Sequence, residues 1–259
     1  MNLFDIPELS DKKVVQRYDN DSVWICSSPA DEKYVIRVAD CELSKKISNL
    51  GKMGLPVEKT VDILRYGDDS CILVTEFVPG KNYTQIITEI LNGIPKDINK
   101  IEELGETYSK YYEKGFILEG ATLSNFRYGD IGPIRVGIKK ITEYPSAWDN
   151  SDKKFIEACF NDIVEGFLEP LGRLRAIKKG SRLDMSSKTI RVLSGPELEI
   201  AIKKSDASSS VQDRNQSRVE KYAEDILESF IQGYKLAESA PEETIEKMIR
   251  EEWKRITSL

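Results

Sequence analysis

In the first eighty residues, apolar and polar positions alternate over short runs, the period of half-buried strands. Ser22-Val-Trp-Ile-Cys26, Tyr34-Val-Ile-Arg-Val38, Thr60-Val-Asp-Ile-Leu64 and Cys71-Ile-Leu-Val-Thr75 are such runs. Ser27-Ser-Pro-Ala-Asp-Glu32 and Tyr66-Gly-Asp-Asp-Ser70 supply turn chemistry between them. Cys41 to Lys52 reads as a short helix that Gly54-Leu-Pro56 stops. The pattern predicts an antiparallel sheet of four or five strands, with one helix inserted after the third.

Beyond Pro79-Gly80 the period changes. Ile86, Ile87, Ile90 and Leu91 mark a short helix, and Ile98, Ile101, Leu104, Tyr108, Tyr111 and Tyr112 a long amphipathic one. Phe116-Ile-Leu118 and Ile134-Arg-Val136 predict two short strands around an irregular loop. Helical spacing returns from Ile156 to Leu171. Thr189–Leu193 and Leu198–Ile202 flank Ser194-Gly-Pro196 and read as a β-hairpin. The polar stretch from Ser205 to Ser217 reads as an exposed, mobile loop. Two closing helices carry Val219 to Tyr234 and Ile245 to Ile256 on their apolar faces. The fold class expected is α+β: a small antiparallel sheet lobe with one helix over residues 1–78, and a mainly helical lobe over 79–259 with an insertion at about 181–217.

Composition narrows the function. The 259 residues carry 38 Lys and Arg against 44 Asp and Glu, a net charge of −6. That argues against a generally basic nucleic-acid or membrane surface. Arg173, Arg175, Lys178, Lys179 and Arg182 form a local basic cluster that leaves nucleic acid open as a partner; a solvated helix end reads the same way. Histidine is absent, which removes Ser-His and Cys-His nucleophile pairs and His-ligated metals. Cys26, Cys41, Cys71 and Cys159 show no C-x-x-C spacing and read as buried free thiols in a reducing cytosol. The first residues show no signal-peptide pattern, and no apolar run approaches the ~18–20 residues of a membrane span. The expectation is a cytoplasmic protein.

One stretch carries a resemblance. Gly54-Leu-Pro-Val57, a strand, and then Ile72-Leu-Val-Thr-Glu-Phe-Val-Pro-Gly80 resemble the protein-kinase-like superfamily, in its aminoglycoside-phosphotransferase and atypical-kinase branch. There a strand ending E-x-V-x-G forms the hinge between a sheet lobe and a helical lobe. The resemblance runs loosely from Ser22 to Lys140. It returns at Glu220 to Arg255, where the chain is similar to the end of the small kinase of the KEOPS tRNA-modification complex.

The resemblance implies a bilobal kinase-like fold and a cleft whose hinge, Glu76, Phe77 and Val78, would hold an adenine ring by backbone hydrogen bonds. Arg37 takes the place of the strand lysine on the phosphates, and Glu42 in the following helix would hold it. Phosphoryl transfer also requires a carboxylate near the attacking hydroxyl, and an Asn and an Asp on Mg²⁺. In Leu118-Glu-Gly-Ala-Thr-Leu-Ser-Asn125, Asn125 fits the metal-binding Asn, but Gly120 stands where the catalytic Asp belongs. Ile134 to Lys140 holds no acid where the metal Asp belongs, and Lys139 or Lys140 there would repel Mg²⁺. The turn of the first hairpin, Tyr18-Asp-Asn-Asp21, has no glycine to cradle phosphates.

The leading expectation is therefore a pseudokinase: a non-catalytic regulatory, scaffold or nucleotide-sensing module with a protein partner. ATP or ADP remains a candidate ligand, and the missing acids argue against Mg²⁺. The alternative is a divergent phosphotransferase with Glu119 as base, Asn125 on the metal and Arg37 on phosphate. A further alternative is an accessory subunit of an RNA-modification assembly.

Overall fold

The computed structural model describes residues 9, 11–18, 23–120, 122–144, 153–178, 209–234 and 241–258. The hairpin expected at Thr189–Ile202 and the turn at 19–21 lie outside the described residues.

Five strands form the first sheet: β1 (Lys13–Tyr18), β2 (Val23–Ser27), β3 (Lys33–Asp40), β4 (Thr60–Arg65) and β5 (Ser70–Glu76), in the order β1-β2-β3-β5-β4 and antiparallel throughout. Period-2 alternation gives the sheet two faces. One buries Trp24, Cys26, Ile36, Ile72 and Val74 with Leu9 as a small core of its own. The other presents Arg37, Leu73 and Thr75. Between β3 and β5 the chain runs through α1 (Cys41–Lys52). Asp40 starts this helix: its carboxylate accepts from the Leu43 N–H at 2.8 Å, satisfying an end donor that would otherwise lack a partner.

The cysteine expectation is corrected here. Cys41, the first residue of α1, is disulfide-bonded to Cys71 of β5, with Cα atoms 4.9 Å apart, while Cys26 and Cys159 are buried free thiols. The strand register places Ala39 opposite Cys71 and so delivers Cys41 to it. A spacing of thirty residues carries no pairing signal by itself. The inference of a reducing compartment from four free thiols loses its basis with that correction.

The second lobe begins with α2 (Tyr83–Leu91), opened by a reciprocal capping box between Asn82 and Gln85, and α3 (Asn99–Glu113). Next come β6 (Phe116–Ile117), β7 (Phe126–Gly129), β8 (Gly132–Arg135) and β9 (Thr142–Glu143). β6 pairs with β9 and β7 with β8, both antiparallel. α4 (Lys153–Ile163) continues through a π turn at Val164–Leu168 into α5 (Glu169–Lys178). α6 (Ser209–Tyr234) and α7 (Pro241–Ser258) close the chain.

Two expectations change in this lobe. The strand expected at Ile134–Val136 is β8, and the loop before it contains a further strand, β7, whose Gly129 pairs with Gly132 across Asp130-Ile131, a two-residue turn. The loop expected at 205–217 is helical from Ser209 onward. Once the buried face from Val219 to Tyr234 nucleates a helix, each added residue gains a hydrogen bond at little cost, so the helix runs on into polar sequence.

α3 and α6 cross unusually closely at two glycines. A Cβ on Gly105 would lie 2.2 Å from the Phe230 carbonyl oxygen, and one on Gly233 would lie 1.8 Å from that of Glu102. The large core extends from this crossing into the first lobe, where Ile47 and Leu50 of α1, Leu55, Val57 and Leu73 join it.

Candidate functional site

The segment linking α1 to β4 ties the lobes together. The Arg135 N–H donates to the Pro56 carbonyl and the Glu58 N–H to the Arg135 carbonyl, both at 2.9 Å. The Tyr111 hydroxyl donates to the same Pro56 oxygen at 2.7 Å. Glu58 is thereby carried under the sheet, 2% exposed. Its Oε1 accepts from Arg37 Nη2 at 2.5 Å and its Oε2 from the Thr75 hydroxyl at 3.3 Å. Arg37 is itself 8% exposed.

Glu58, not Glu42, therefore neutralises Arg37. Glu42 stands on the outside of α1 and pairs with Lys46 one turn on, at 3.1 Å. In a helix starting at Cys41, residue 42 faces away from the strand that carries Arg37, whereas the linker delivers Glu58 beneath it. The expected Arg37–Glu42 pair is not brought together, and Glu58 went unrecognised although it directly follows the Gly54-Leu-Pro-Val57 motif.

At the hinge, two of three backbone donors are used within the protein. The Glu76 N–H donates to Lys59 O at 2.9 Å and the Phe77 N–H to Lys33 O at 3.1 Å. The Val78 N–H makes no hydrogen bond among the described residues. The Glu76 side chain is held by Lys59 at 2.6 Å. The Phe77 ring lies under the Arg127 guanidinium, 5.6 Å from its centroid, and Arg127 also donates to Gly80 O at 3.0 Å. The segment after the hinge is thus fastened to β7.

On the opposite wall, Asn125 ends a 3-10 turn (Leu123–Asn125). Its Nδ2 donates to the Gly120 carbonyl at 3.2 Å, and its own carbonyl accepts from the Val136 N–H at 2.8 Å. These bonds bring Gly120, Asn125 and Gly137 together. A Cβ on Gly137 would lie 3.8 Å from Asn125 Oδ1, and one on Gly120 would meet nothing within 4 Å. Gly120 and Gly137, which flank Asn125, both have positive φ (76° and 64°). Gly137 is the second position the sequence reading left unassigned. Among the described residues, no group of three or more His, Cys, Asp or Glu side chains is placed to hold a metal ion. The residues present do not fit the Mg²⁺ that phosphoryl transfer requires.

Glu119, the base of the alternative reading, has both carboxylate oxygens engaged. It accepts from Lys140 Nζ at 2.8 Å and from the Thr142 hydroxyl at 2.6 Å, and these bonds hold its carboxyl below the usual range. A carboxylate held so makes a weak general base. Behind it lies a cavity of about 260 Å³ whose lining includes Gly120, Thr142, Asp162 and Glu165. Burial pushes the Asp162 carboxyl up to about 7; the hydroxyl of Tyr112, donating at 2.8 Å, and the charge of Arg135 counter that rise, while Glu165 and Glu119 add to it.

The basic cluster is largely structural where it is described. Arg175 is 8% exposed and grips Glu220 of α6 with two hydrogen bonds of 2.6 and 2.8 Å. Arg173 bonds Glu169 on its own helix. Lys179 and Arg182 lie outside the described residues.

No family model matches the chain, and no curated protein matches it in sequence. Among solved structures it is similar to the Cydia pomonella granulovirus kinase PK-1, at 10% sequence identity and a TM-score of 0.47, over 88% of this chain and 94% of that one.

Proposed function

We propose that this chain is a non-catalytic module of kinase-like architecture, inactive in Mg-ATP phosphoryl transfer and acting by binding. The architecture rests on element order: a five-stranded sheet with one helix between its third and fourth strands in sequence, a hinge segment, then a helical lobe. That order joins the motif at Gly54–Gly80 and the Asn125 turn. The inactivity rests on one observation above the others, the glycines at 120 and 137 on either side of Asn125. Phosphoryl transfer works by placing charge around the transferring group, and at both of these positions a glycine supplies none.

The unpartnered Val78 N–H supports an adenine ring as the ligand of the hinge, since that contact needs no particular side chain. Arg37 is 8% exposed and bonded to Glu58, so its guanidinium offers little surface to a phosphate chain. The expected partner is a protein, and Glu119 as a general base is not part of this reading.

A turnover assay and a thermal-shift titration test the proposal together. ATP with Mg²⁺ or Mn²⁺ is expected to give no hydrolysis or transfer above a no-protein blank. ATP and ADP are expected to raise the melting temperature equally with and without metal. Metal-dependent stabilisation accompanied by turnover would overturn it.

A further inference from the structure

We infer that the Cys41–Cys71 disulfide is a redox-sensitive clamp that sets how firmly α1 couples the sheet lobe to the Glu119–Asn125 wall. The two ends of α1 are held by different means. Its C-terminal half is anchored by packing: Ile47 and Leu50 are 0% and 2% exposed and belong to the core shared by both lobes. Its first turn is anchored more lightly: Leu43 packs half-buried against that core and Ser44 is buried, while Glu42 and Lys45 are exposed. The ties there are the disulfide, the Cys41 N–H donating to Asp69 O at 3.1 Å, and the Asp40 cap. Without the covalent bond, that turn would rest on the Leu43 and Ser44 contacts and on end-of-strand hydrogen bonds, the kind that open first.

The residue after this turn makes the consequence more than local. Lys46 Nζ reaches across to Glu143 of β9 at 3.4 Å while also pairing with Glu42. β9 pairs with β6, and its Thr142 holds Glu119 together with Lys140. Glu119 adjoins Gly120, whose carbonyl receives the Asn125 amide. A continuous set of bonds therefore runs from the disulfide through α1 and β9 to the wall of the candidate site.

The chemistry is thiol–disulfide exchange with a small thiol or a dithiol as co-reactant. Its thiolate attacks the sulfur of Cys41, the less buried of the two, forming a mixed disulfide. Cys71 leaves as a thiolate and takes up a proton. A second thiol then releases Cys41 as a thiol and carries off the oxidised co-reactant as its disulfide. Two electrons enter the protein and two thiols form.

The test uses the full chain. Alkylation under denaturing conditions is expected to label two thiols, Cys26 and Cys159, in protein handled without reductant, and four after dithiothreitol. Hydrogen exchange is then compared between the two forms and in Lys46→Ala. Reduction is expected to speed exchange about tenfold or more both in 41–46 and in 140–144. Lys46→Ala is expected to speed it in 140–144 while leaving residue 41 protected in the oxidised form. Four reactive thiols without reductant would overturn the clamp. So would reduction that loosens 41–46 yet leaves 140–144 unchanged, because the bond would then serve α1 alone. Cys41→Ser, which removes the bond without reductant, must reproduce the reduced pattern.

Discussion

Replacing Glu58 with alanine is the most informative single perturbation of this molecule. In the native protein its two carboxylate oxygens are divided between Arg37 at 2.5 Å and Thr75 at 3.3 Å, and both charged partners are nearly sealed from water. Alanine would leave the Arg37 guanidinium buried with no counter-charge, at a cost of about 3–5 kcal/mol. The Thr75 hydroxyl would lose its acceptor as well, at about 1 kcal/mol more. Against the ~5–15 kcal/mol of a typical domain, that is a third of the stability or all of it. Glu42→Ala removes a carboxylate that stands in solvent beside Lys46, and its effect should fall within the scatter of the measurement. Urea unfolding followed by far-ultraviolet circular dichroism and by the fluorescence of Trp24 and Trp253, both buried, reads the two variants side by side. Arg37→Met combined with Glu58→Leu should recover much of the loss, since a buried pair replaced by apolar groups of similar size leaves no orphaned charge. A Glu58→Ala loss below about 1 kcal/mol, or a Glu42→Ala loss equal to it, would refute the assignment of Glu58 as the partner of Arg37.

Three further outcomes are expected. Gly233→Ala should lower stability by about 2 kcal/mol or more despite its better helix propensity, because its Cβ would meet the Glu102 backbone at 1.8 Å, which cannot step aside as a side chain can; thermal unfolding checks it. Cys71→Ser should cost about 3–4 kcal/mol in urea unfolding under oxidising conditions, the loop-closure entropy of a separation of 30 residues, and nothing further when reductant is added. Asp162 binds its proton up to about pH 7 in the folded protein, but only to about pH 3.9 when unfolded. The native state thus holds the extra proton between those values, and the contribution of this group to stability falls as pH rises through the window. Asp162→Asn should flatten that part of the melting-temperature profile between pH 5 and 8, and an unchanged slope would refute it.

Much of the fold was legible in the sequence because local periodicity dictated it. The helix read from Cys41 to Lys52 has those bounds in the structure, since Asp40 caps it and Gly54-Leu-Pro56 cannot continue it. Strands β2 to β5 and the two closing helices announced themselves by period 2 and period 3.6, whereas no alternation marks β1. Asn125 and Gly120 were singled out by the kinase resemblance, and one tight turn joins them. β7 was hidden for a local reason: Phe126-Arg-Tyr-Gly129 is too short for alternation to stand out.

What the sequence by itself determined was the order and type of the elements, the absence of histidine chemistry, and the lack of an acid at 120 and over 134–140. Each of those follows from residue identity or from neighbours a few positions apart. Only the tertiary structure decided which distant residues meet. It placed Glu58, 21 positions away in the chain, on Arg37 and turned Glu42 to solvent. It joined Cys41 to Cys71 through the β3–β5 register and turned Arg175 inward onto Glu220. Such pairings depend on strand order and helix crossings, which the packing of the whole core selects, and no local pattern encodes them.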